Sequence, residues 1–215
     1  MEIADRPKTA IFGGTFDPIH MGHIELLENV YEEICPDRIV MIPSGHPYMK
    51  EKKGIRITSS DDRIGMLEAG VEGLDLPIVI SRIETDKDTP SYSVDTIAQL
   101  KAEDLETNEK YAGGDYYFLC GSDILFEIEK WYEFEKLLGE IILTVTPRGE
   151  DDIEVILEKK KDLEEKYGAR IIITSFRGRV ISSTLIRSNP EKYKDLVPKG
   201  TFEYIKEHHL YERKD

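Results

Sequence analysis

Ile11-Phe-Gly-Gly-Thr-Phe-Asp-Pro-Ile-His-Met-Gly-His23 is the stretch on which the reading of this chain turns. Residues 8–12 become apolar and stop at Gly13-Gly14, the pattern of a short buried strand. Glycines at that point let backbone N–H groups approach a ligand with no Cβ in the way. Pro18 fixes the loop that follows. His20 and His23 then stand at the start of a helix, because Ile24, Leu27, Tyr31 and Ile34 recur at helical spacing. Two imidazoles beside free helix N–H groups make a site for negative charge, since the dipole and the N–H groups point the same way. A plain turn followed by incidental histidines would use the same residues. A structural zinc site would need two further ligands, and no nearby Cys/His pair supplies them, so no protein-held metal is expected.

Downstream the strand-then-helix step repeats. Residues 38–43, 78–83, 116–120, 141–146 and 170–174 read as strands. Residues 56–70, 93–101, 151–167 and 201–211 read as helices. Such alternation predicts an α/β fold: a parallel sheet with right-handed crossovers and helices on both faces. Sheets of this kind bind ligands at the carboxyl ends of their strands, where the strand order reverses. Gly13-Gly14 and Gly121-Ser-Asp123 both fall at that edge. No internal repeat is visible. Residues 1–215 are expected to form one domain, with residues from about 182 to 215 as a small C-terminal helical part.

The formal net charge is -14, which argues against a nucleic-acid partner, whose binding face would be basic. It leaves room for a small anion, because a few amides and basic side chains suffice to hold a phosphate inside an acidic protein. No apolar run approaches the roughly 20 residues that span a bilayer, so no membrane partner is expected. The first residues lack a secretory pattern, and a cytoplasmic location is expected. Cys35 and Cys120 read as free, buried thiols in a reducing compartment. The oligomeric state, including a homo-oligomer, is left open.

A second anion site is legible in Val180-Ile-Ser-Ser-Thr-Leu-Ile-Arg187. Ser182 or Ser183 is a natural N-cap, which leaves hydroxyls and free amides at a helix start. Arg187 follows one turn later and could reach the same anion, although a capped helix with a surface arginine would read identically. Between the two motifs, Asp123 stands at a strand end, placed to accept a hydrogen bond from a ribose or a base.

These segments resemble the nucleotidyltransferase superfamily, and within it the bacterial nicotinate-nucleotide adenylyltransferases. His20-Met-Gly-His23 is similar to the family's HxGH element, and Gly13-Gly-Thr-Phe-Asp-Pro18 to its adenylyltransferase form. Residues 180–187 resemble the ISSTxxR element, Gly121–Tyr132 the GxD…W segment, and Pro90–Thr96 the SYTxxT segment with Ser93 in place of threonine. The ending Leu196-Val-Pro, Tyr204-Ile and Leu210-Tyr211 fits as well. The chain departs from the family at Pro43-Ser-Gly-His-Pro-Tyr-Met-Lys50, where Gly45 replaces a polar residue and Met49 a histidine.

The resemblance implies a Rossmann-like fold and the joining of ATP to nicotinate mononucleotide, giving deamido-NAD and pyrophosphate. It implies catalytic roles for His20, His23 and Arg187. Gly13, Gly14, Thr15, Phe16, Asp123, Ser182, Ser183 and Thr184 would bind the nucleotide. Lys50, Ser93, Trp131 and Tyr132 would bind the acceptor, and Mg²⁺ would arrive with ATP. Two other readings stay open: the same chemistry on nicotinamide mononucleotide, and a non-catalytic nucleotide-binding sensor.

Overall fold

The computed structural model describes residues 6–45 and 57–212. Six strands form one parallel sheet: β1 (Lys8–Gly14), β2 (Arg38–Pro43), β3 (Ile78–Ile80), β4 (Asp115–Gly121), β5 (Ile142–Thr146) and β6 (Arg170–Ile173). The helices are α1 (Met21–Ile34), α2 (Ser60–Val71), α3 (Ser93–Thr107), α4 (Ser122–Glu127), α5 (Phe134–Glu140), α6 (Ile153–Tyr167), α7 (Ser183–Ser188) and α8 (Lys199–Glu207).

The strand order is β3-β2-β1-β4-β5-β6. The chain therefore works outward from β1 to one edge, returns to the centre at β4, and works outward to the other edge. The reversal lies between β1 and β4, which pair from Lys8↔Asp115 to Ile11↔Phe118. This is the switch point of a doubly wound sheet, and a crevice opens there beyond the strand ends.

Strand side chains alternate between two cores, as a sheet covered on both faces requires. Ala10, Phe12, Ile39 and Met41 point to one face and meet Ile24, Leu27 and Val30 of α1 and Leu67 of α2. Ile11, Val40, Ile42 and Phe118 point to the other, against Val94 and Ile97 of α3, Leu137 of α5, and Ile156 and Leu163 of α6. At the amino edge of the sheet, away from the crevice, Arg38 pairs with the fully buried Asp104. Asp104 also accepts from the Tyr116 hydroxyl at 2.7 Å, and Arg38 donates to Thr9 Oγ1 at 3.0 Å.

After β6 the regular elements are helices, among them α7 and α8. α8 lies on α2, where Thr201 Oγ1 donates to the Met66 carbonyl at 2.9 Å. A Cβ at Gly70 would come within 2.4 Å of Thr201 Oγ1, so the close approach of these helices needs a glycine there.

Several boundaries differ from those the sequence suggests. β3 ends at Ile80 instead of residue 83. α2 starts at Ser60 because Ser59 caps it, accepting from the Asp62 N–H at 3.1 Å. The C-terminal helix stops at Glu207, and the chain beyond it turns through His209 and Tyr211, both at positive φ. Of the two cysteines, Cys120 is buried, but Cys35 is exposed. Cys35 forms the left-handed C-cap of α1, at φ 49, which puts it at a helix end and outside the core.

Candidate active site

The site is built at the switch point from the loop between β1 and α1. The Asp17–Pro18 peptide is cis, and the chain then enters α1 with His20 as its N-cap at φ -146. His23, three positions on, folds back so that its Nδ1 accepts from the His20 backbone N–H at 3.2 Å. That bond requires Nδ1 of His23 to be unprotonated, which leaves Nε2–H as its donor. The two imidazoles stack with centroids 3.6 Å apart and planes inclined by 11°.

His20 is 7% exposed, and its Nδ1 has no hydrogen-bond partner among the described residues. Burial lowers its pKa from 6.5 to about 4, with a smaller push from the charge of Arg148. His20 is therefore neutral in the free protein at pH 7.

Phe16 sits under this pair. Its ring packs edge-on against Phe12 and His23, at 5.3 Å from each, and it is 2% exposed. It supports His23 from the core and is not itself part of the cavity wall. Gly14 is held to glycine by the same ring, since an added Cβ would lie 2.9 Å from it. Gly13, by contrast, has open space where a side chain would be. The Thr15 carbonyl accepts from buried Arg63 at 2.9 Å, and that guanidinium also holds the Ser44 carbonyl at 2.8 Å. One buried cation thus ties the loop after β1 to the loop after β2.

A cavity of about 230 Å³ opens beside the histidines and includes Arg148, Arg179 and Ser182–Thr184 in its wall. Ser182 caps α7 as its sequence suggests, accepting from the Leu185 N–H at 3.4 Å. Ser183 Oγ donates to the Pro18 carbonyl at 3.0 Å, docking this segment on the first loop. The wall therefore sets imidazole, guanidinium and hydroxyl groups beside the apolar Leu26, Val180 and Ile181, although the chain as a whole is acidic.

Two of the cations were not singled out from sequence. Arg148 follows β5 in Thr146-Pro-Arg-Gly149, and a basic residue in a Pro/Gly turn at a strand's carboxyl end was the available signal. Arg179 lies just before the serines and forms an ion pair with Glu25. Asp123 pairs with Arg148 at 3.5 Å and stays largely exposed. Arg187 does not line the cavity in this conformation. Its Nη1 donates to the Asp17 carbonyl at 2.6 Å and its Nη2 to Thr184 Oγ1 at 3.1 Å.

Across the β1 carboxyl end, a smaller cavity of about 30 Å³ is bounded by Gly13, Glu84, Ser93, Thr96 and Phe118. Thr96 Oγ1 donates to Glu84 at 2.8 Å, and burial raises the Glu84 carboxyl above its usual range. Trp131 packs edge-on against Phe118 with centroids 6.1 Å apart. Tyr132 lies against Tyr92 at 4.6 Å and is half exposed. Ser93, Trp131 and Tyr132 thus gather on one side of the crevice. Lys50 lies outside the described residues. Gly45 has a backbone reason to be glycine, because a Cβ there would come within 2.1 Å of the Glu84 carbonyl.

A donor-rich cavity at the switch point of a parallel sheet is the make-up of a nucleotide-binding α/β enzyme. The chain belongs to the cytidylyltransferase-like family, whose model matches residues 11–189. It is 35% identical to a protein of Clostridium tetani named "probable nicotinate-nucleotide adenylyltransferase", over 95% of this chain and 98% of that one. A protein of the same name from Carboxydothermus hydrogenoformans is 33% identical, with 95% and 98% covered.

Among solved structures, Plasmodium falciparum nicotinic acid mononucleotide adenylyltransferase complexed with APC superposes with a TM-score of 0.73 at 21% identity, covering 95% of this chain and 97% of that one. The same enzyme complexed with NaAD gives 0.71 at 21% identity over the same shares. These likenesses establish the fold. Among the described residues, no helix is long and apolar enough to cross a membrane.

Proposed function

We propose that the chain transfers the adenylyl group of ATP to nicotinate mononucleotide, giving deamido-NAD and pyrophosphate. The observation that carries this reading is the pair of stacked imidazoles at the N-terminus of α1, facing Ser182–Thr184 across one cavity. The full-length similarity to nicotinate-nucleotide adenylyltransferases supports the acceptor.

The acceptor phosphate is ionised at neutral pH, so its oxygen attacks the α-phosphorus of ATP without a general base. One P–O bond forms in line as the bond to the pyrophosphate oxygen breaks, and the electron pair leaves with pyrophosphate. The task of the protein is to position the two phosphates and to stabilise charge moving onto the leaving group. In this reading His20 and His23 hold the α- and β-phosphates through ring N–H groups. The free N–H groups at the start of α1 act in the same direction. Ser182, Ser183 and Thr184 hold the β/γ end, with Arg187 turning from Asp17 toward it. Asp123 contacts the adenosine, and Ser93, Trp131 and Tyr132 flank the pyridine ring.

Mg²⁺ comes with ATP in this proposal and would neutralise phosphate charge. The cavity's donors suit phosphate oxygens rather than the cation, and among the described residues no group of three or more His, Cys, Asp or Glu could hold a metal.

The test is pyrophosphate release from ATP and Mg²⁺ with nicotinate or nicotinamide mononucleotide in parallel, for wild type and His20→Asn. Preference for the acid and a loss of about 100-fold in the variant are expected. Equal turnover of the two mononucleotides would sink the acceptor assignment, and an unimpaired variant would sink the role of His20.

A further inference from the structure

At the first loop lies a buried polar cluster of which the proposed chemistry uses only Arg187. Asp17 is 1% exposed. Its Oδ1 accepts from the Tyr211 hydroxyl at 2.6 Å, and its Oδ2 from the Thr58 N–H at 3.3 Å. The same Oδ2 lies 3.8 Å from Arg187 Nη1. With one nitrogen on the Asp17 carbonyl and the other on Thr184, the Arg187 guanidinium is suspended between the first loop and its own helix.

Tyr211 reaches this cluster from beyond α8, 194 residues away along the chain. It does so at φ 64, a left-handed conformation that a bulky residue adopts only when its surroundings hold it there. Burial, and then the neighbouring Asp17, push its phenol well above the ordinary value, so the hydroxyl remains a donor.

We propose that Tyr211 is a positioning residue for adenylyl transfer, whose bond to Asp17 sets where the Arg187 guanidinium stands relative to the triphosphate. The inference rests on the reading above, in which Arg187 meets the phosphates. Its physical basis is that a buried carboxylate must be compensated. With the Tyr211 hydroxyl on Oδ1, Asp17 is served without a direct hydrogen bond from Arg187 to its carboxylate, so only the bonds to the Asp17 carbonyl and Thr184 have to break for the guanidinium to turn outward. Without the hydroxyl, the shortfall is made up by the nearest cation. Arg187 is then drawn into a close ion pair and away from the cavity.

A double-mutant cycle tests this, with Tyr211→Phe, Arg187→Ala and the pair, each assayed for kcat, for KM of ATP and for ATP·Mg²⁺ affinity without acceptor. Tyr211→Phe is expected to unfold cooperatively like wild type and to lose about tenfold in kcat/KM for ATP. In the Arg187→Ala background the same change is expected to have less than about a twofold effect. An unaltered Tyr211→Phe enzyme would overturn the proposal. So would an equal loss in both backgrounds, which marks a merely structural tail. Should Tyr211→Phe not fold, Asp17→Asn keeps the shape and removes the charge; its effect must likewise vanish without Arg187, and full activity would refute the coupling. If wild type releases no pyrophosphate with either mononucleotide, the functional reading fails, while the ATP affinities still decide the coupling.

Discussion

Lowering the pH from 7.5 to 5.0 is expected to remove about 2 kcal/mol of folding stability through His20 alone. The unfolded imidazole titrates near 6.5 and the folded one at about 4, because burial opposes its charged form. Here a base has its pKa depressed by folding, so the unfolded chain takes up the proton first. The contribution of His20 to stability is intact above pH 6.5, declines between 6.5 and about 4, and is constant below that. At pH 5 the unfolded state gains roughly a 30-fold proton-binding advantage, which at 1.36 kcal/mol per decade gives the figure of about 2 kcal/mol. His20→Asn keeps a residue suited to the N-cap and lacks the titration. Urea unfolding of both proteins at pH 7.5 and 5.0 isolates the term, since every other titrating group is shared. An equal loss in the two proteins, or an NMR midpoint for His20 above pH 6, would refute the reasoning. Nucleotide binding provides the converse: phosphates beside His20 favour its charged form, so ATP should bind with proton uptake near pH 5.5, read as a buffer-dependent binding heat.

Two further perturbations separate scaffold from site. Asp104→Ala leaves the guanidinium of Arg38 and the hydroxyl of Tyr116 buried without their carboxylate, and is expected to cost about 3–5 kcal/mol; it should lower the urea midpoint while leaving the KM for ATP within about twofold of wild type. Arg148→Ala removes a cation from the cavity wall and should weaken ATP·Mg²⁺ binding about tenfold by calorimetry. Because Arg148 also opposes the charging of His20, the same variant should raise the His20 titration midpoint, seen by NMR.

Much of the fold was legible because long segments with a strong period leave little choice. The Ile24–Ile34 spacing and the continuous apolar run of β2 correspond to the observed α1 and β2 cores. α4 and α5 were not legible, since six and seven residues are too few to display a helical period. The motif residues that could be named were those whose chemistry is local: stacked histidines at a helix start, and serines at another. Residues that act through distance in sequence could not be named. Arg63 joins two loops through backbone carbonyls, and Tyr211 meets Asp17 only because α8 lies on α2. Phe16 was named only as a member of its motif, and nothing in the sequence signalled that its ring would pack in the core against Phe12 and His23.

The unequal burial of the two cysteines gives the molecule a built-in clock for its own opening. Cys35 stands at the exposed end of α1, while Cys120 lies in the central strand β4 with its thiol sealed from solvent. A thiol-alkylating reagent therefore meets one site immediately and the other only when the centre of the sheet comes apart. The second alkylation event, counted by mass, times global unfolding under native buffer, and the first serves as its internal standard.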